Sequence, residues 1–293
     1  MSTPIVSVLV TVFNREEYLV HALQSILSST QPDFELIVVD DASTDESLAV
    51  ARQFAKQDDR IRVYENEENL GDYPNRARAA SLACGRYLKY VDSDDIIYPH
   101  SLAIMVESME RYPDASMALN HSLPQDDQPY PWYLSPEKTY SKHFLGRGCL
   151  SCGPSGAIIR AESFKAIGGF RSRWGALSDI DLWYRMAAMW PTVLLPPGLV
   201  WWRRHEAQEF TRENEDQFYL RRGYELKVDA LSQTDCPLPD RDRDLAIKRS
   251  RQHFARHLWS LALRQRRPTA ALRIFNESDL RVPDLILGLR EYQ

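Results

Sequence analysis

Apolar and polar positions along the first hundred residues follow two alternating rhythms. Ile5-Val6-Ser7-Val8-Leu9-Val10-Thr11-Val12 is β-branched and almost wholly apolar, the composition of a strand buried on both faces. It ends in Phe13-Asn14-Arg15. Residues 16–28 then place Leu19, Leu23, Ile26 and Leu27 at helical spacing. After Pro32 and Asp33, residues 34–39 repeat the strand pattern and run into Asp40-Asp41. A helix over residues 45–57 follows, with Ser43 or Thr44 as its cap, then a short strand over 61–64. This succession predicts a parallel sheet with right-handed crossovers. The turn-rich run Asn69-Leu70-Gly71-Asp72-Tyr73-Pro74-Asn75 leads into an Ala-rich helix over 76–84, with Gly85 as a left-handed cap. The fourth strand, Tyr87-Leu88-Lys89-Tyr90-Val91, stops abruptly in Asp92-Ser93-Asp94-Asp95.

Farther on, Pro99 suits the first turn of a helix over 98–111. Strands are expected over 115–119, 156–160, 192–195 and 199–202. Helices are expected over 161–167, closed by Gly168-Gly169, and from Asp179 with Ser178 as cap. The chain reads as helical from Thr211 onward, interrupted by Pro237 and Pro239. Residues 121–147 have no clear period and hold four prolines with Tyr130, Trp132, Tyr133 and Tyr140. A loop of that length is functional or mobile; its aromatics either lie against sugar rings or anchor the loop.

Length and composition narrow the choices. The 293 residues, 44% hydrophobic, suit one large α/β domain with or without a helical appendage and exclude wholesale disorder. No apolar run is long enough to cross a bilayer. Met1-Ser2-Thr3-Pro4 leads straight into a strand without the basic and apolar regions of a signal peptide, so a cytoplasmic protein is expected. Four cysteines fit a reducing compartment. Cys149-x-x-Cys152 lacks the second pair usual in structural zinc sites. The net charge of −5 hides an asymmetry. Between Arg241 and Arg273 ten Lys/Arg stand against two acids, a local +8 that leaves −13 for the rest. Such a block suggests an anionic membrane surface; a solvated helical face and a dimer contact are the alternatives. Nucleic acid is not expected.

The chemistry gathers where strands end. In an open α/β sheet, ligands bind at the carboxyl ends of the strands. Three carboxylates within four residues repel one another, so a hard divalent cation holding a phosphate is the economical partner; an acidic solvated turn is the plain one. Asp40-Asp41 has the same placement, and a carboxylate there accepts hydrogen bonds from a uracil N–H or ribose hydroxyls. Neither Gly-x-Gly-x-x-Gly nor Gly-x-x-x-x-Gly-Lys-Ser/Thr occurs, which removes the dinucleotide fingerprint and the ordinary P-loop.

Five segments in order carry a resemblance: Val8 to Asn14; Val38-Val39-Asp40-Asp41-Ala42-Ser43-Thr44-Asp45; Asn69-Leu70-Gly71 with Arg76; Val91-Asp92-Ser93-Asp94-Asp95; and Ser178-Asp179-Ile180-Asp181-Leu182-Trp183-Tyr184-Arg185. Over residues 4–206 the chain resembles the family-2 glycosyltransferases of GT-A fold. The resemblance implies a mostly parallel, Rossmann-like sheet flanked by helices with a C-terminal helical extension. It divides the chain into a catalytic domain over 1–210 and a helical region over 211–293 for acceptor, membrane-surface or oligomer contacts. It implies a nucleotide-sugar donor, UDP-linked by expectation, and a saccharide or lipid-linked acceptor in cell-surface polysaccharide synthesis. Thr11 and Asp41 would contact the nucleoside, Asp40 the ribose or its own turn, Arg76 the nucleotide, and Asp92 donor hydroxyls. Asp94, Asp95 and the late His205 would reach an Mn²⁺ or Mg²⁺ ion. Asp179 matches the general base, with Asp181 and Arg185 as supports. Ser178 departs from the family's frequent Glu. One base opposite one leaving group implies inversion. Trp183 and Trp202 are read as core. The rivals are a sugar nucleotidyltransferase, whose Gly-rich phosphate loop is missing after the first strand, and a non-catalytic nucleotide- or carbohydrate-binding protein.

Overall fold

Residues 3–121, 129–205 and 218–290 are described by a computed structural model. The expected helical onset at Thr211, and Pro124 of the aromatic loop, lie outside these residues. By their contacts the residues divide into two units, 1–139 with 149–204 and 140–148 with 205–293.

In the first unit the β-branched runs become β1 (Val6–Val12), β2 (Phe34–Asp40), β3 (Ile61–Glu65) and β4 (Tyr87–Tyr90). Between them lie α1 (Glu16–Leu27), α2 (Ser47–Ala55) and α3 (Asp72–Leu82). There follow β5 (Ile96–Ile97), α4 (Ser101–Arg111), β6 (Met117–Asn120), β7 (Trp132–Leu134), α5 (Pro136–Tyr140), β8 (Ala157–Arg160), α6 (Ala161–Ala166), α7 (Ser178–Met189), β9 (Thr192–Leu195) and β10 (Val200–Trp201). The main sheet runs β3-β2-β1-β4-β8-β6-β9-β7. Its first four strands are mutually parallel, and only β7 and β8 run against the rest. β5 and β10 form a separate antiparallel pair. The sequence left β7 within a long irregular loop; three residues flanked by prolines give no readable period.

Burial explains the apolar runs. Every residue of β2 is buried, and in β1 only Thr11 is not. Val6, Val8, Val10, Leu36 and Val38 face α1 residues Leu19, Leu23 and Ile26 in one core. Crossovers on both faces demand such two-sided burial. Gly85 corrects one expectation. It is not left-handed; a Cβ there would lie 2.5 Å from the Ser7 nitrogen, so close passage past β1 requires glycine. Gly168 and Gly169 do adopt positive φ after α6.

The second unit holds α8 (Phe218–Ser232), α9 (Asp240–Leu263), α10 (Pro268–Asn276) and α11 (Val282–Arg290). Tyr224, Phe254, Leu258, Leu261, Ala271 and Ile274 form its core, with Tyr224 stacked on Phe254 at 4.3 Å. A π-helical turn, Ser141–Leu145, belongs with these helices, and Arg249 donates to the Leu145 carbonyl at 2.9 Å.

Candidate active site

The β1 and β2 ends are stitched together before they reach any ligand. Asn14 and Ala42 both take left-handed backbone, φ 51° and 58°, a conformation L-residues adopt at a cost, commonly next to functional sites. The Asn14 N–H donates to Ser43 Oγ at 3.0 Å, and its Oδ1 accepts the Thr44 N–H at 2.8 Å. Asp45 accepts the N–H groups of Glu16 and Ser47 at 3.1 and 2.9 Å, so it caps α2 while joining α1. That is the task expected of Ser43 or Thr44; both are engaged by Asn14 instead.

Asp40 and Asp41 separate by role. Asp40 is wholly buried, and its Oδ2 accepts the Ser43 N–H at 2.9 Å. In this position it supports the turn. The Asp41 carboxylate accepts from Asn66 Nδ2, from the Leu70 N–H at 2.9 Å and from the Gly71 N–H at 2.9 Å. It therefore folds the 66–71 loop onto β2. Thr11, half-buried, pairs in register with Val39 beside this loop.

Gly71, with φ 86°, then starts α3 at Asp72, one turn earlier than the sequence suggested. This shift matters because it puts Asp72, Tyr73 and Arg76 on neighbouring turns. Arg76 Nε donates to Asp72 at 2.7 Å, and Nη2 forms an ion pair with Asp92 Oδ1 at 2.8 Å. Its Nη1 is buried without an acceptor. The guanidinium lies 5.7 and 5.8 Å from the Tyr73 and Tyr90 rings. Burial lowers the Arg76 pKa, but Asp72 and Asp92 outweigh it and hold the charge firmly on.

The acidic turn is braced from below. The Asp92 N–H donates to Ser155 Oγ at 2.9 Å, at the entry to β8. Asp94 lies 3.5 Å from Arg15 Nε, and its carbonyl accepts Arg203 Nε at 2.8 Å. That guanidinium sits between the Tyr18 and Trp201 rings at 5.0 and 4.9 Å. Asp95 is turned inward, 2% exposed, and accepts the Arg203 N–H at 3.2 Å. Burial first, then Asp92, pushes its carboxyl upward. A carboxylate so enclosed braces the turn. Lys89, wholly buried in β4, donates from Nζ to the Ser155 carbonyl. Burial brings it down to about 8, against Cys152, Asp92 and Asp95.

Asp179 opens α7, 7% exposed. Its N–H donates to the Tyr73 hydroxyl at 3.2 Å, and that hydroxyl donates to the Ala176 carbonyl at 3.3 Å. Its Oδ1 accepts the Ile180 N–H at 2.7 Å. Burial pushes the carboxyl up to about 7, tempered by Ile180 and Arg76 and reinforced by Asp72 and Asp92. So Asp92, Arg76 and Asp179 share one electrostatic neighbourhood, linked through α3. Asp181 pairs with Arg185 at 2.8 Å, and Arg185 in turn donates to the Ile167 and Gly169 carbonyls at 3.0 and 2.7 Å. His205 falls in the second unit, at the start of its longer stretch. Trp183 is buried as expected, but Trp202 is 46% exposed, not core.

Among the described residues no three His, Cys, Asp or Glu side chains converge on a cation. The donors present are hard carboxylate oxygens at a strand end, foremost Asp94. They fit a Mg²⁺- or Mn²⁺-type ion held by one or two carboxylates together with substrate phosphates, not a closed protein cage.

Residues 7–168 match the family described as Glycosyl transferase family 2. The chain belongs to that family and is a glycosyltransferase. It is 29% identical over 231 residues to the putative glycosyltransferase EpsE of Bacillus subtilis (strain 168), covering 78% of this chain and 80% of that protein. The putative teichuronic acid biosynthesis glycosyltransferase TuaG of the same organism is 33% identical over 151 residues, 51% of this chain and 60% of TuaG. Among solved structures, S. aureus TarS 1-349 in complex with UDP-GlcNAc superposes with a TM-score of 0.67 at 17% identity, over 98% of this chain and 80% of that one. The mannosyltransferase PcManGT of Pyrobaculum calidifontis, in complex with GDP-Man and Mn2+, gives 0.67 at 18%, over 100% and 80%. The fold is GT-A.

Proposed function

We propose that this chain is an inverting transferase that moves a sugar from a nucleotide diphosphate, UDP by preference, to a hydroxyl of a saccharide or lipid-linked acceptor in cell-surface polysaccharide synthesis. One observation carries the reading. Asp179 is a buried carboxyl held near neutrality beside Arg76 and Asp92, the state a general base needs in order to work at physiological pH. The naming of TuaG for teichuronic acid biosynthesis and the complex of TarS with UDP-GlcNAc support the substrate class.

In this reading Thr11 and the loop held by Asp41 receive the nucleoside. Arg76 lies toward the nucleotide and fixes Asp92 toward donor hydroxyls. Asp179 takes the proton of the acceptor hydroxyl as the new bond forms at the anomeric carbon. Asp94 would hold a divalent cation. When bound, that ion neutralises charge on the departing diphosphate. A calorimetric screen of UDP- and GDP-sugars with and without Mn²⁺, followed by donor turnover, tests the reading. Tight binding with no turnover on any saccharide or lipid-linked acceptor would leave a binding protein.

The second unit sharpens the membrane reading. Much of the basic block is engaged internally: Arg243 pairs with Asp240, Arg251 with Asp279, and Arg249 with the Leu145 carbonyl. Arg266, Arg267 and Arg273 lie along the α9–α10 corner, where Leu263 and Leu272 are 62% and 60% exposed and no acid intervenes. Apolar side chains ringed by arginines fit an anionic bilayer surface. Flotation with phosphatidylglycerol vesicles should fall at least tenfold for Leu263→Ser/Leu272→Ser. Equal flotation of that variant would remove the corner from the role. No helix among the described residues is long and apolar enough to cross a membrane.

A further inference from the structure

The carboxylates of the acidic turn stand among cations, Arg76 shared between Asp92 and Asp72 and Arg203 set on the Asp94 carbonyl. Asp94 has Arg15 at 3.5 Å and Asp92 has Arg76 at 2.8 Å. Lys89 lies beneath, its Nζ on the carbonyl of Ser155. The Ser155 hydroxyl accepts the Asp92 N–H and bonds the Asp95 side chain. Lys89 has no exposed surface, so its charge acts on Asp92 and Asp95 with little solvent screening. Three carboxylates within four residues look strongly acidic in the sequence. In the fold these three and Asp72 stand against four cations, Arg15, Arg76, Lys89 and Arg203, which leaves the turn close to neutral.

A near-neutral turn is a poor trap for a bare divalent ion. The ion must give up tightly held water, and the turn offers little net charge and no converging set of three side chains among the described residues. A divalent ion already carried by a diphosphate is different. It brings most of its oxygen ligands and has lost most of its net charge, so one carboxylate suffices to seat it.

We infer that the acidic turn excludes the free divalent ion and admits it only as the complex with a nucleotide diphosphate, and that Arg15 and Lys89 are the positioning residues that impose this order. The inference rests on the proposed function. It adds a sequence of binding to it and assigns two residues that the family motifs leave out.

Mn²⁺ binding followed by electron paramagnetic resonance tests it without any turnover. The wild-type chain should bind no Mn²⁺ alone at concentrations up to about 1 mM, weaker than any affinity of working strength. It should bind one Mn²⁺ per chain once UDP or GDP is added, and Asp94→Asn should abolish that. Arg15→Gln alters a partly exposed side chain and should let Mn²⁺ bind alone at least about tenfold more tightly. Lys89→Met keeps the length of the buried chain and should do the same; if that variant fails to fold, Arg15→Gln carries the test. One Mn²⁺ on the wild-type chain without nucleotide, lost in Asp94→Asn, would overturn the inference. So would unchanged metal-only binding in Arg15→Gln. If neither UDP nor GDP binds with or without Mn²⁺, the functional reading itself falls.

Discussion

Asp179→Asn should lower transfer by about 10²–10⁴-fold, the usual contribution of a positioned base, while making the protein more stable above pH 7. Both effects come from one cause. The native carboxyl has its pKa near 7 and the unfolded one near 3.8. Between those values the folded chain binds the extra proton, so stability from this group is complete below the lower value and is lost as pH rises through the upper one. At about 1.4 kcal/mol per unit, the buried anion costs at most about 4 kcal/mol above pH 7. Asparagine keeps the shape and removes that cost. The same titration places the acidic limb of kcat/KM near pH 7, with rate rising as Asp179 loses its proton. Melting curves at pH 5 and pH 8 beside a donor-turnover assay check the pair. A variant that lost activity and also melted lower at pH 8 would mean that Asp179 is a structural element and not a base.

Arg76 variants should show the second largest effect. Arg76→Ala leaves Asp72 and Asp92 facing each other without their shared cation. Breaking a buried pair in this way costs about 3–5 kcal/mol. Arg76→Lys should rescue folding in part and activity poorly, since an ammonium cannot serve both carboxylates with the geometry of a planar fork. Because Arg76 also draws the Asp179 pKa down, its loss should move the acidic limb to higher pH. Thermal melts and pH–rate profiles of the two variants measure this. An unmoved limb in Arg76→Ala would uncouple Arg76 from the base.

The strand-and-helix order was readable because both faces of β1 and β2 are buried and the pattern has nothing else to encode. The acid-ended strands were readable for the same reason: Asp40 and Asp92 follow directly upon apolar runs. What stayed hidden depends on partners distant in the chain. Lys89 interrupts an apolar strand and could have been flagged as a charge demanding a partner, but Ser155 lies 66 residues away. Asp40 and Asp95 look equivalent to their neighbours in sequence. Only the hydrogen bonds to Ser43 and Arg203 turn them inward. Tyr73 looked like part of a turn because Gly71 and Pro74 disguise the start of α3. The grouping of residues 140–148 with the C-terminal helices has no local signature at all.

The first turn and a half of α3 has a consequence for how such an enzyme changes. Arg76, which the proposed function sets on the donor side, and Tyr73, which receives the N–H of Asp179, ride on one rigid segment. A substitution that reshapes the donor pocket through this helix must therefore also disturb the acceptor's base. Donor preference and proton transfer are inherited together here, so a new donor preference is more cheaply gained from the 66–71 loop than from α3.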